Sequence, residues 1–493
     1  MFVLLAGLLI ASLALDAFVR PRRSSIRRWW GLLFHGLTMT ATFGLWLAIS
    51  GNAYVAGALA LALMALFMAA SNAKNAVLGE PLVFSDLALL SFVLRHPRFY
   101  FSAVPVWQRW IAAMVVLFAA LTVVRLSSLA PTQHLAGVAL LILASGVLWL
   151  LLHGGWARQL TPTPDLHRDV ARYGLLATLL LYWRRWRETP DPLPCPAISE
   201  TRPDAPALII VVQCESFADP VEITGGAGHR LPGLAAAQAI AWRWGDLAVS
   251  GFGAYTMRSE YAVLFGRGED ALGFRRFDPF LTALRDTSHA LSARLKGAGY
   301  RAIFVHPYDM RFYGRDRLMP AIGFDALVGQ DGFPPVPQGA RYVDDRTLGR
   351  KLIELAQGEP APLFLYAVTM ENHGPWEGDA ADGPESRLDT FLRRLRSSDD
   401  MLNDLIGSLG SAGRPALLAF FGDHRPSIPG VVVPGGARHT PYVIVRFDAE
   451  GHPITGGARA DLTPAELHHA ILACVHQTDR KSADQGTIVT TAS

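Results

Sequence analysis

The chain has 493 residues, enough for a membrane unit and a large soluble domain. It is 51% hydrophobic and 18% charged, with a mean hydropathy of +0.25, and the apolar excess lies in its N-terminal part. A formal charge of +3, without a basic stripe interleaved with aromatics, argues against nucleic acid as a partner. Three cysteines (Cys195, Cys214 and Cys474), none in a C-x-x-C pair, exclude a dense disulfide framework and a finger-type zinc site.

Residues 2–18 are apolar and are followed by Arg20, Arg22, Arg23, Arg27 and Arg28. A secretory leader carries its positive charges before the apolar core, so this order predicts an uncleaved span. Further apolar runs at 31–50, 53–70, 107–124 and 135–152 each approach the roughly 20 residues a helix needs to cross a bilayer. The expectation is about five spans within a membrane domain, 1–155. The arginine-rich loop should be cytoplasmic. With five spans, that rule alone puts the C-terminal part in the cytoplasm as well. Residues 173–183 (YGLLATLLLYW), flanked by Arg184, Arg185 and Arg187, are short for a span and predict an interfacial amphipathic helix. Between the third and fourth spans, Glu80, Pro81 and Asp86 interrupt an apolar stretch. It reads either as a loop with a short interfacial helix or as a re-entrant segment with its acids toward the soluble domain.

Residues 156–206 join a juxtamembrane helix to a Pro-rich spacer, ETPDPLPCPAISETRPDAP at 188–206. The pattern then changes. Strands are expected at 207–213, 301–305, 363–369, 416–421 and 441–445, with helices at 290–298 and 391–409. Continuous apolar strands alternating with helices predict an α/β domain, 207–476, with a mostly parallel, doubly covered sheet. A flexible tail is expected at 477–493. In such sheets ligands collect beyond the carboxyl ends of the strands.

The polar residues fall at those ends. The first strand runs into Cys214–Glu215–Ser216, the 363–369 strand into Glu371–Asn372–His373, and the 416–421 strand into Gly422–Asp423–His424. The 301–305 strand runs into His306 and then RFYGRD at 311–316. Thr256 follows a Gly-rich turn, SGFGAYT, and opens an apolar-periodic helix, where backbone N–H groups favour an anion. Its hydroxyl serves either as an N-cap or, if a base or metal activates it, as a nucleophile. Glu215, Asp423, His424 and the Thr256 oxygen form a donor set suited to Mn²⁺ or Zn²⁺ and tolerant of Mg²⁺. Such a metal would lower the hydroxyl pKa. Arg315 either grips a phosphate through its planar fork or pairs with Asp309 or Asp316. His373 either moves a proton at the reacting oxygen or hydrogen-bonds its loop. His306 and His439 suit supporting roles.

These residues carry a resemblance. CESF at 214–217, GFGAYTMRSEY at 251–261, RFYGRD, ENHGPW at 371–376 and FGDH at 421–424 resemble, in order and spacing, the lipoteichoic acid synthase and phosphoglycerol transferase group of the alkaline phosphatase and sulfatase superfamily. The likeness extends over nearly the whole chain, including LGEPLVFSD at 78–86. It implies metal ligands at Glu215, Thr256, Asp423 and His424, usually with Mn²⁺, and a nucleophile at Thr256. It implies substrate contacts at Arg315, His373 and Tyr313, the last where relatives often carry tryptophan. It further implies an anionic phospholipid donor, a cell-envelope glycan acceptor, and a multi-pass protein of the bacterial cytoplasmic membrane. The catalytic domain would be extracytoplasmic, against the arginine-loop rule. A phosphoethanolamine transferase shares the threonine and metal, although many such enzymes carry disulfides that three cysteines cannot supply. A formylglycine sulfatase needs a C/S-x-P-x-R motif that this sequence lacks. A catalytically silent lipid- or glycan-binding protein should have lost a ligand, whereas all four positions are filled.

Overall fold

The computed structural model describes residues 1–22, 27–87, 106–198, 200–226, 229–359, 362–376, 387–428, 430–432, 434–457 and 459–476. The expected tail and most of the second half of the 72–100 segment lie outside them. The chain divides into two compact units, Met1–Thr189 with Gly273–Phe277, and Pro190–Leu272 with Asp278–Ser493.

The first unit is helical. Among the described residues, three helices are long and apolar enough to cross a membrane: Trp29–Ser50, Ala53–Leu78 and Pro131–His153. The helix Phe2–Ala17 is apolar but has 16 residues, and Val106–Leu126 has 21. Glycines let two of the long helices approach closely. A Cβ on Gly44 would lie 2.6 Å from the Leu141 nitrogen, and one on Gly137 2.2 Å from the Ala48 nitrogen. Small residues of this kind bring backbones into van der Waals contact where no hydrophobic drive separates helix from lipid. Gly137→Val should therefore cost about 1–3 kcal/mol through overpacking. A lower inactivation temperature of the detergent-solubilised protein would report it.

Some charges of this unit are paired within it. Arg27 donates through Nε to Asp16 Oδ2 at 3.1 Å and through Nη1 to the Val170 and Ala171 carbonyls. One of the five loop arginines is thus neutralised, which weakens the orientation signal of that loop. Asp86 pairs with Lys74 at 2.5 Å and accepts from the Val83 N–H, so this acid is engaged within its own unit. The segment expected to be interfacial forms the helix Leu175–Glu188, whose Leu175, Leu176, Leu179, Leu181 and Tyr182 are buried in the unit.

Among the described residues, the second unit is built on a seven-stranded sheet in the order β2-β7-β6-β1-β5-β3-β4. The strands are β1 Leu208–Cys214, β2 Arg243–Ala248, β3 Arg301–Val305, β4 Ala326–Val328, β5 Leu363–Val368, β6 Ala416–Gly422 and β7 His439–Phe447. Pairings β1–β5, β1–β6, β3–β4 and β3–β5 are parallel; β2–β7 and β6–β7 are antiparallel. Side chains alternate between faces with period two. Ile209 and Val211 enter one core with the helices Thr256–Phe265, Leu291–Gly297 and Pro464–Ala473. Leu208, Ile210 and Val212 enter the other with Asp345–Gly358 and Arg387–Gly410. Both faces are covered, as the continuous apolar strands predicted. The sequence patterns for β2 and β4 are weak: β2 (RWGDLA) is a half-exposed edge strand, and β4 has three residues.

Candidate active site

β1 and β6 are neighbours in parallel register with Cys214 opposite Gly422. Their next residues, Glu215 and Asp423, therefore emerge side by side. Gly422 is required there, because a Cβ would meet the Phe217 carbonyl oxygen at 1.9 Å. The turn is tied by the Ser216 N–H donating to Asp423 Oδ1 at 2.9 Å and the Asp423 N–H donating to the Cys214 carbonyl at 3.1 Å. The Glu215 N–H donates to Thr369 Oγ1 at 3.0 Å, anchoring the cluster to the end of β5. Ser259 Oγ donates to the Asp423 carbonyl at 2.7 Å and fixes the Thr256–Phe265 helix against it.

His424 Nδ1 lies 3.1 Å from the Arg425 carbonyl. A carbonyl only accepts, so Nδ1 carries the proton and Nε2 is the ligating nitrogen. Nε2 lies 3.4 Å from Glu215 Oε1, 3.6 Å from Asp423 Oδ2 and 3.4 Å from Thr256 Oγ1. Ligand atoms of Glu215, Asp423 and His424 lie within 4.8 Å of one another, and all three residues are buried. Asp423 Oδ2 has no hydrogen-bond partner among the described residues. Burial, with the Glu215 charge beside it and His424 offsetting in part, pushes the Asp423 carboxyl up to about 7. Burial opposes charging of His424, but the two carboxylates outweigh it and raise its pKa. Two buried acids and an imidazole converging on one point, with an oxygen left over, fit a divalent cation.

Thr256 is the first residue of its helix, and the N-cap position belongs to Tyr255 in the left-handed region at φ 77°. The threonine hydroxyl is thus positioned by the helix start and turned toward His424 Nε2 instead of capping. Of the two roles open to it in the sequence, the geometry suits the chemical one.

Arg315 is buried and pairs with neither Asp309 nor Asp316. It donates through Nε to Glu260 Oε1 at 3.0 Å and through Nη2 to Glu260 Oε2, and its Nη1 lies 3.2 Å from His306 Nε2. Glu260 stands one helical turn after Thr256, on the same helix face. His306 is held neutral by burial and the Arg315 charge, with Nδ1 3.0 Å from the Val368 carbonyl. Tyr313, also left-handed at φ 57°, presents its ring to the Arg315 guanidinium at 5.3 Å. His373 lies beyond β5, with Nδ1 2.7 Å from the Gly374 carbonyl. That contact leaves Nε2 as the accepting nitrogen of the neutral ring.

One neighbour carried no signal in the sequence. The Tyr342 ring meets His373 edge-on with centroids 6.0 Å apart. Its hydroxyl is buried without a hydrogen-bond partner among the described residues. Burial, with Glu215 adding to it, pushes that hydroxyl up to about 12. Tyr342 stands in a turn-rich stretch, PVPQGARY, with no periodicity to mark it.

The sulfatase family profile matches residues 207–476, the whole of the sheet and every residue of this cluster. The chain belongs to the sulfatase family. This sulfatase-family chain is 30% identical over 424 residues to the capsular polysaccharide biosynthesis protein RkpI of Rhizobium meliloti (strain 1021), covering 81% of this chain and 78% of that protein. It is 26% identical over 251 residues to a cyclic β-1,2-glucan modification protein of the same strain, covering 48% of the chain but 38% of the relative. Among solved structures, the lipooligosaccharide phosphoethanolamine transferase A of Neisseria meningitidis aligns over 98% of this chain and 97% of its own, at a TM-score of 0.55 and 14% identity. That likeness establishes the shared fold, helical membrane unit included.

Proposed function

We propose that this chain is a metal-dependent phosphotransferase of the bacterial cytoplasmic membrane, with five spans and an extracytoplasmic catalytic domain. It moves phosphoglycerol from phosphatidylglycerol to a cell-envelope glycan through a covalent ester on Thr256. The observation that carries this reading is the Thr256 hydroxyl, held at a helix start 3.4 Å from His424 Nε2 beside Glu215 and Asp423. The name of the capsular polysaccharide relative supports a glycan acceptor.

Glu215, Asp423, His424 and Thr256 would hold the cation, taken as Mn²⁺ with Zn²⁺ or Mg²⁺ as substitutes. When bound, it lowers the hydroxyl pKa and offsets charge on the phosphoryl oxygens. Thr256 Oγ1, as the alkoxide, attacks phosphorus; the bond to the diacylglycerol oxygen breaks, and that oxygen takes the Nε2 proton of a His373 imidazolium, leaving the neutral ring. An acceptor hydroxyl then attacks phosphorus, neutral His373 receives its proton at Nε2, and the Thr256 ester breaks to return the alkoxide. Arg315 and Tyr313 orient the phosphoryl group, and tethering confines the enzyme to the surface where its lipid donor resides.

Intact-mass measurement of the full-length protein with phosphatidylglycerol and Mn²⁺ tests this. The expected result is a phosphoglycerol adduct on the wild type and none on Thr256→Ala. An adduct from phosphatidylethanolamine instead would reassign the donor. Turnover without any adduct, and undiminished in Thr256→Ala, would overturn the mechanism.

A further inference from the structure

A cavity of about 220 Å³ opens beside β2 and the start of β7. Its wall includes Trp244, Asp246, Glu222, Arg425, His439 and Arg459. None of these has a part in the phosphoryl chemistry above.

The charges in this wall are already matched. Glu222 accepts from Arg425 Nη2 and lies 2.9 Å from His439 Nε2. Arg459 Nη2 donates to Asp246 Oδ2 at 2.7 Å. Asp219 adds a third carboxylate against two guanidiniums, so a phosphate or sulfate would meet repulsion. A metal cation would have to displace Arg425 and Arg459 from the carboxylates they already pair with. What remains is a set of fixed donors and acceptors around one indole. That combination suits a neutral polyhydroxylated ring, with hydroxyls on the polar groups and a C–H face on the aromatic.

The cavity is also joined to the reaction centre. The carbonyl of Arg425 takes the His424 Nδ1 contact at 3.1 Å and accepts from the Gly253 N–H at 2.8 Å. Gly253 lies in the turn that delivers Thr256. The guanidinium of the same residue lines the cavity and donates through Nε to the His439 carbonyl at 2.8 Å. One residue thus faces the ligand cluster with its backbone and the cavity with its side chain.

We propose that this cavity binds one sugar ring of the glycan acceptor and so presents the attacking hydroxyl to the Thr256 ester. The proposal rests on the transferase reading above for the acceptor's role. Its binding chemistry stands separately.

The test is saturation-transfer NMR on the full-length protein in detergent, with methyl glucoside, methyl galactoside and methyl mannoside as probes and inorganic phosphate as competitor. Binding of at least one glycoside to the wild type is expected, insensitive to phosphate. Asp246→Asn should weaken it about fivefold, the difference between a hydrogen bond to a charged acceptor and one to a neutral acceptor. Trp244→Ala should abolish it. Should Trp244→Ala fail to fold, Asp246→Asn decides, since its pair with Arg459 is solvent-accessible. No binding by the wild type, equal binding by folded variants, or displacement by phosphate would each overturn the site. Diacylglycerol release from phosphatidylglycerol, measured on the wild type alone, separates the two failures. Binding without release would remove the transferase reading and leave the sugar site; release without binding would do the reverse.

Discussion

Asp423→Asn should lower phosphotransfer by about 10³-fold, the scale of losing one preorganised charged group at a reacting phosphoryl. It should also raise the melting temperature of the metal-free protein. Both follow from the same geometry. Asp423 and Glu215 are buried side by side, and one Asp423 oxygen has no hydrogen-bond partner among the described residues. Without a cation, that arrangement sets two acids against each other in a low-dielectric site, and either charging or protonating Asp423 there costs free energy. Removing one acid relieves the cost and removes a ligand together. Metal should then separate the proteins. At a hundredfold excess over its Kd, a cation stabilises the wild type by about 2.7 kcal/mol, and a domain of this size shifts by several degrees. The variant should shift little. Thermal melts of full-length protein in EDTA and then in Mn²⁺ would show this. A variant that melts lower than wild type in EDTA would mean the carboxylate serves the fold instead of a metal.

The sheet and the candidate cluster of Glu215, Asp423 and His424 were legible because both rest on strong, local patterns. β1, β5 and β6 are unbroken apolar runs, and the polar residues at their ends are where a parallel sheet collects its chemistry. The register Cys214 opposite Gly422 is what turns two distant sequence positions into one site. The edge strand β2 has mixed polarity and was not legible, since an edge exposed on one side needs no apolar run. Tyr342 was not legible either, because only the fold brings it to His373. Arg315 is marked by the RFYGRD motif, but its partner Glu260 lies inside a helix of apolar periodicity that gives no sign of a buried acid. Buried ion pairs join residues far apart in sequence, here 55 positions, and no spacing rule foretells them.

That pair makes the second large effect. Glu260→Gln should destabilise the protein by about 3–5 kcal/mol, because it leaves the buried Arg315 guanidinium without its counter-charge. Arg315 and Glu260 side chains are 2% and 0% exposed, so water cannot compensate. Replacing both, as Glu260→Leu with Arg315→Met, removes the uncompensated charge and should return most of the stability. Activity should not return with it. The guanidinium has five N–H donors. The bonds to Glu260 and His306 use three, which leaves two for a phosphoryl oxygen. Glu260, one turn along the helix from Thr256, would then hold Arg315 near the reacting oxygen instead of competing for it. The double variant should therefore melt near wild type and still transfer phosphoglycerol about 10²-fold more slowly. Chemical denaturation and diacylglycerol release, measured on the same preparations, would check both halves. Recovery of stability and activity together would make Arg315 a structural residue and leave phosphate orientation to His373 and Tyr313.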